Sequence, residues 1–117
     1  MDLYHGTTID RLEDILAHGL LPQRNWDSGD IPVISLTNSP EKALIVAFAV
    51  DATKIELGGK SKPAEYFVAL KIKSENYNVQ KWQVDEWWIK ETIRPEDLEI
   101  ILQKDYETVK KEWEIKK

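Results

Sequence analysis

Few residues in this chain could carry chemistry, and their types narrow it before any fold is assigned. The 117 residues include no cysteine and two histidines. Thiol nucleophiles, disulfides, iron–sulfur clusters and cysteine-based zinc sites are therefore excluded, and any nucleophile or acid is an oxygen or an imidazole. His5 is followed by Gly6 and Thr7 where a short apolar-aromatic segment ends. A glycine there leaves bare backbone, both N–H and C=O, open to a ligand beside the imidazole. Ser35 and Thr37 are two residues apart, so on a strand both hydroxyls share one face. A buried hydroxyl is costly unless paired, which suits a cleft; alternatively the strand simply runs into a cap at Asn38-Ser39. Asp85 and Glu86 precede Trp87 and Trp88, and a carboxylate beside large rings sits at a solvent rim or is held in a cleft. Glu91 competes for that role, five residues on and facing the other way. His18, just before Gly19, has a structural explanation, because an imidazole in the last turn of a helix interacts favourably with the helix dipole. The two histidines lie thirteen residues apart with no paired ligand spacing, so no metal centre is expected.

One domain with one substantial core must position these groups, since the chain has 117 residues of which 42% are apolar. Residues 2–5 read as a strand stopping at Gly6, and a helix capped by Thr7 or Thr8 carries Ile9, Leu12, Ile15 and Leu16 on one face up to Gly19. Residues 22–32 read as a long surface loop, and residues 33–37 as a second strand. Ser39-Pro40-Glu41 starts a helix reaching about Val50, whose small residues allow close approach to a sheet. A loop over 57–63 precedes a strand at 66–72, and strands at 86–93 and 98–103 flank the Arg94-Pro95-Glu96-Asp97 turn. The boundaries predict a domain over 1–103 and an amphipathic helical tail over 104–117, with Tyr106, Val109 and Trp113 among nine charged residues. The class is α+β. The longest apolar run, 43–50, is too short to span a bilayer and no charged leader precedes an apolar segment, so a soluble, cytoplasmic protein is expected. The formal charge of −5 disfavours a general grip on nucleic-acid phosphates but allows a narrow, base-directed contact. Residues 1–50 hold seven acids and three bases, and residues 51–117 hold fourteen and thirteen.

Taken in order, the pieces resemble the ADP-ribosyltransferase superfamily. Leu3-Tyr4-His5-Gly6-Thr7, followed by a helix ending Ile15-Leu16-Ala17-His18-Gly19-Leu20, is similar to its opening strand and helix. Val33-Ile34-Ser35-Leu36-Thr37 leading into Ser39 resembles its second core strand, and Glu86-Trp87 before an apolar strand resembles the Glu-Tyr start in the diphtheria-toxin-like and poly-ADP-ribose-polymerase-like branch. The resemblance implies two short, mostly antiparallel sheets around an NAD cleft. It implies a single-domain transferase that splits NAD, its substrate, at the nicotinamide–ribose bond and passes ADP-ribose to an acceptor: protein, nucleic-acid base or small molecule.

Residue by residue, the resemblance implies that the Gly6 backbone holds the nicotinamide amide and His5 a ribose hydroxyl. Glu86 engages the ribose 2′-hydroxyl and stabilises the positive centre as nicotinamide leaves, so Glu86 and His5 are the catalytic pair. Tyr4, Thr7, Ser35 and Thr37 line the same cleft, with Arg24 and behind it Arg11 on the pyrophosphate. The tyrosines that stack nicotinamide in that branch are missing here: Ile34 stands near the first position, Phe48 is the expected aromatic wall, and Trp26 enters from the loop. No Glu-x-Glu pair is present, since Val84 precedes Glu86 by two, which argues against arginine-directed transfer. RNA 2′-phosphotransferases share the Tyr-His-Gly-Thr start and offer an alternative, as does an inactive NAD-core domain acting by binding.

Overall fold

The computed structural model describes residues 1–24 and 29–116. Its elements are β1 (Leu3–Thr8), α1 (Ile9–His18), β2 (Ile34–Leu36), α2 (Pro40–Glu56), β3 (Tyr66–Ile72), β4 (Val79–Gln83), β5 (Glu86–Ile89), β6 (Leu98–Asp105) and α3 (Tyr106–Lys116), with 3₁₀ turns at Ser74–Asn76 and Pro95–Asp97. The strands form two three-stranded antiparallel sheets, ordered β1-β3-β6 and β2-β5-β4. This is the α+β class expected. The central strand β3 is apolar on both faces because both are covered. Val68, Leu70 and Ile72 meet Leu12 and Ile15 of α1 and Ile34, Leu36, Trp87 and Ile89 of the second sheet. Phe67 and Ala69 face the other way, against Ala43, Leu44, Ala47 and Phe48 of α2 and Val109 of α3. Tyr106 and Trp113 of α3 pack against that same cluster.

Several boundaries differ from expectation for identifiable reasons. β1 passes through Gly6 to Thr8, so the glycine is not a turn. A Cβ there would lie 1.8 Å from the Ala43 carbonyl oxygen, so only glycine lets α2 rest directly on the strand. Thr8 occupies the α1 cap position without a side-chain cap bond. α2 starts as expected, with Ser39 Oγ accepting the Lys42 amide and Pro40 at the first helical position, but runs to Glu56 rather than Val50. Its last turns are tied down by Asp51, which is buried and accepts from Lys60 Nζ and from the Ala64 amide at 3.0 Å. β4 is an element the sequence reading lacked. β5 stops at Ile89 instead of residue 93, because Ile93 leaves the sheet to bridge Leu20 after α1. Gly19 permits that path with φ +89. β6 runs two residues past Gln103. Among the described residues no helix is long and apolar enough to cross a membrane.

Candidate functional site

Besides their shared core, the two sheets are joined by a backbone bridge between β1 and the end of β2. Tyr4 and Thr37 exchange N–H···O bonds of 2.8 and 2.9 Å. The next pair in that register is Gly6 with Ser35, and the bridge does not extend to it, so the strands part there. The His5 ring stands in the gap, its Nδ1 2.9 Å from the Ser35 carbonyl oxygen. A carbonyl only accepts, so Nδ1 carries the proton and, in the neutral ring, Nε2 is an acceptor. Burial lowers the His5 pKa below 6.5; the Ser35 bond opposes this and the Arg11 charge adds to it. The imidazole is therefore neutral at neutral pH. Ladder alternation turns the Gly6 N–H and C=O, like those of Tyr4, away from β3 and toward the gap. The glycine thus serves packing through its face and presents polar backbone through its edge.

Glu86 forms the facing wall. Its Oε2 accepts from Trp88 Nε1 at 2.8 Å and from Ser35 Oγ at 3.3 Å. The three residues share one face because Ser35 is the register partner of Trp88, and Glu86 lies two residues before Trp88 on the same strand. Thr37 Oγ1 donates to the Ser39 carbonyl at 2.9 Å, tying β2 to the start of α2. A cavity of about 810 Å³ opens between these groups, a size typical of small-molecule sites. Tyr4, His5, Gly6, Thr7, Arg11, Arg24, Ser35, Thr37 and Glu86 all line it.

Phe48 does not, and is a correction. Its ring is buried in the second core, with centroids 5.7 Å from Phe67, 5.7 Å from Tyr106 and 5.8 Å from Trp113. α2 gives that face to β3 and α3 and presents Val46 and Val50 to the cavity instead. Ile34 packs in the first core and also lines the cavity, Glu91 is exposed beyond the end of β5, and Trp26 lies outside the described residues.

Among the described residues, four cations (Arg11, Arg24, Lys42, Lys54) and three carboxylates (Asp51, Asp85, Glu86) line the cavity. Asp51 is matched by Lys60, which also approaches Asp10 at 3.6 Å. Asp85 pairs with Lys42 at 3.2 Å, joining the β4–β5 turn to α2. Arg24 lies 3.9 Å from Asp30 with both side chains largely in solvent, so that pair holds Arg24 only weakly. Trp88 as the clamp on Glu86, and Lys42 and Lys54 as lining cations, were missed from sequence. The Glu86-x-Trp88 spacing carried the signal for the first, since strand alternation puts both on one face. No protein-family model matches the chain, and no curated protein matches it.

Proposed function

We propose that the chain is an ADP-ribosyltransferase-like enzyme that splits the nicotinamide–ribose bond of NAD and transfers the ADP-ribosyl group to an acceptor. The observation that carries this is the meeting of His5, the Gly6 backbone edge, Thr37 and Glu86 around one cavity, although they are far apart in sequence. The Gly6 N–H and C=O suit a carboxamide, which offers both an acceptor and donors. His5 Nε2 accepts from a ribose hydroxyl. The Glu86 carboxylate, held by Trp88 and Ser35, accepts the 2′-hydroxyl and faces the positive charge that develops at C1′. As the C1′–N bond breaks, its electron pair goes to the nicotinamide ring nitrogen and discharges the pyridinium; the acceptor lone pair forms the new bond to C1′ and the acceptor loses a proton. One preorganised group of this kind lowers a barrier by roughly 3 kcal/mol. Arg11 and Arg24 take the pyrophosphate, and Val46 and Val50 give the ligand an aliphatic flank where the resembling branch uses tyrosines.

Incubation with NAD, scoring released nicotinamide for wild type and Glu86→Ala, tests this. Release by the wild type that falls on the order of 100-fold in Glu86→Ala is expected. Absence of NAD binding by calorimetry overturns the proposal. Undiminished activity in Glu86→Ala moves the catalytic role elsewhere, and NAD consumption only in the presence of 2′-phosphorylated RNA identifies the phosphotransferase reaction instead.

A further inference from the structure

Trp88 is 7% exposed yet packs in neither of the two cores, so core filling does not account for a ring of that size. What covers it is Trp82, whose ring is stacked on it with centroids 4.4 Å apart and planes 13° from parallel. In the β4–β5 ladder Lys81 pairs with Trp87 and Gln83 with Glu86, so Trp82 is the extra residue of a bulge, a feature that re-aims a side chain. Trp82 itself stays 45% exposed. The inner indole donates its N–H to Glu86 Oε2 at 2.8 Å, a length typical of a bond to a charged acceptor. The Ser35 hydroxyl reaches the same oxygen at 3.3 Å, longer than the usual O–H···O bond, so Trp88 is the stronger holder. Both groups donate, which commits Oε2 as an acceptor. Oε1 bonds to no described residue.

We infer that the two oxygens of Glu86 have separate tasks, Oε2 as an anchor held by the Trp88 N–H and Oε1 as the oxygen that meets the ribose 2′-hydroxyl, and that Trp82 is a positioning residue acting through Trp88. The inference rests on the proposed NAD cleavage at Glu86. A glutamate has several rotatable bonds, and ordering it costs entropy. A carboxylate fixed before NAD arrives meets that cost on folding, so no reorganisation is needed as charge develops at C1′. The anchor fixes Oε1 only if the donor is itself fixed. An indole turned over about its Cβ–Cγ bond points its N–H away from Glu86, and that torsion is a soft one. A second ring lying flat against the Trp88 face blocks the turn, and the bulge is what puts it there. A phenyl ring at position 82 offers the same flat face; a methyl group does not. Among the described residues neither Trp82 nor Trp88 lines the cavity, so neither touches the substrate. Their loss therefore acts on kcat and leaves NAD affinity alone.

The test is a double-mutant cycle on the full chain, read in kcat for nicotinamide release, in the Kd for NAD by calorimetry, and in the ¹H–¹⁵N signals of the five tryptophan indoles. Trp88→Phe keeps a ring and removes the N–H. It is expected to lower kcat about tenfold, the scale of a hydrogen bond to a charged group, and to change the Kd by less than about twofold. Trp82→Ala is expected to lower kcat about fivefold, and Trp82→Phe to restore most of it. In the Trp88→Phe background Trp82→Ala should lower kcat no further, because the N–H through which it acts is gone. Without NAD, the Trp88 signal, assigned by its loss in Trp88→Phe, is expected to move in Glu86→Ala more than that of any other indole. Undiminished kcat in Trp88→Phe, effects of the two substitutions that multiply, or losses that appear in Kd instead of kcat overturn the inference. So does a Trp88 signal that Glu86→Ala leaves in place. Should Trp88→Phe fail to fold, the loss of kcat in Trp82→Ala and its rescue by Trp82→Phe decide. A wild type that releases no nicotinamide overturns NAD cleavage and the task given to Oε1, whereas a Glu86-dependent Trp88 signal in that same chain leaves the anchor on Oε2 standing.

Discussion

At the residue scale, His5 couples the site to stability through one proton. Its pKa is lowered by burial in the folded chain, so below 6.5 the unfolded chain takes up a proton that the folded chain refuses. Stability is then lost as pH falls from 6.5 toward the folded value, with a slope of at most about 1.4 kcal/mol per pH unit. Asp10, Asp97 and Asp105 have pKa values lowered below 3.8, so their contributions fade only at much lower pH. Urea unfolding between pH 7 and 5 is expected to show this loss in the wild type and a flatter profile in His5→Gln; equal slopes would remove the buried neutral imidazole from the account. At this scale much was legible, because His5-Gly6-Thr7 and Ser35-x-Thr37 are local patterns whose strand alternation fixes their faces. Phe48 was not, because which flank of α2 meets the cavity depends on Gly6 admitting Ala43 and on α3 arriving from the far end of the chain.

Elements were legible in proportion to their periodicity. β3 alternates between two covered faces and α1 repeats at helical spacing, and both lie where that pattern puts them. β4 has no such signal, being an edge strand mostly exposed to solvent with a bulge inside it; its existence follows from pairing with β5. The overrun of α2 likewise has a tertiary cause in Asp51. That carboxylate joins α2 to the 57–64 loop through Lys60 and the Ala64 amide, and Lys60 reaches on to Asp10 of α1. Removing one partner of a buried ion pair leaves the other group uncompensated, so Asp51→Ala is expected to lose about 3 kcal/mol in chemical unfolding. Asp51→Asn keeps an acceptor for the Ala64 amide and is expected to lose less. Equal losses in the two variants would assign the whole effect to charge.

For the whole molecule the relevant quantity is where the charge lies. Residues 1–50 hold seven acids and three bases, which looks unfavourable for a dianionic ligand. Yet all three bases, Arg11, Arg24 and Lys42, line the cavity, where Lys54 joins them; of the described lining carboxylates, Asp51 is matched by Lys60 and Asp85 by Lys42. Folding thus brings four cations of an acidic chain to one cavity, a convergence that sequence totals hide. ADP-ribose, which carries the pyrophosphate without the bond to be broken, isolates this term. It is expected to raise the thermal midpoint, since a ligand at a hundredfold excess over its Kd adds about 2.7 kcal/mol. High salt should shrink the shift, because charges beyond roughly 10 Å are screened at 0.1 M; adenosine, lacking the pyrophosphate, should show little salt dependence. Arg11 is half-buried on α1 and close enough for His5 to feel its charge, whereas Arg24 is exposed beside Asp30. Arg11→Glu should therefore cost more ADP-ribose affinity than Arg24→Glu. If both substitutions leave the midpoint shift intact, the pyrophosphate is held by Lys42 and Lys54 on α2, and the ligand lies along that helix instead of across the mouth of the sheet split.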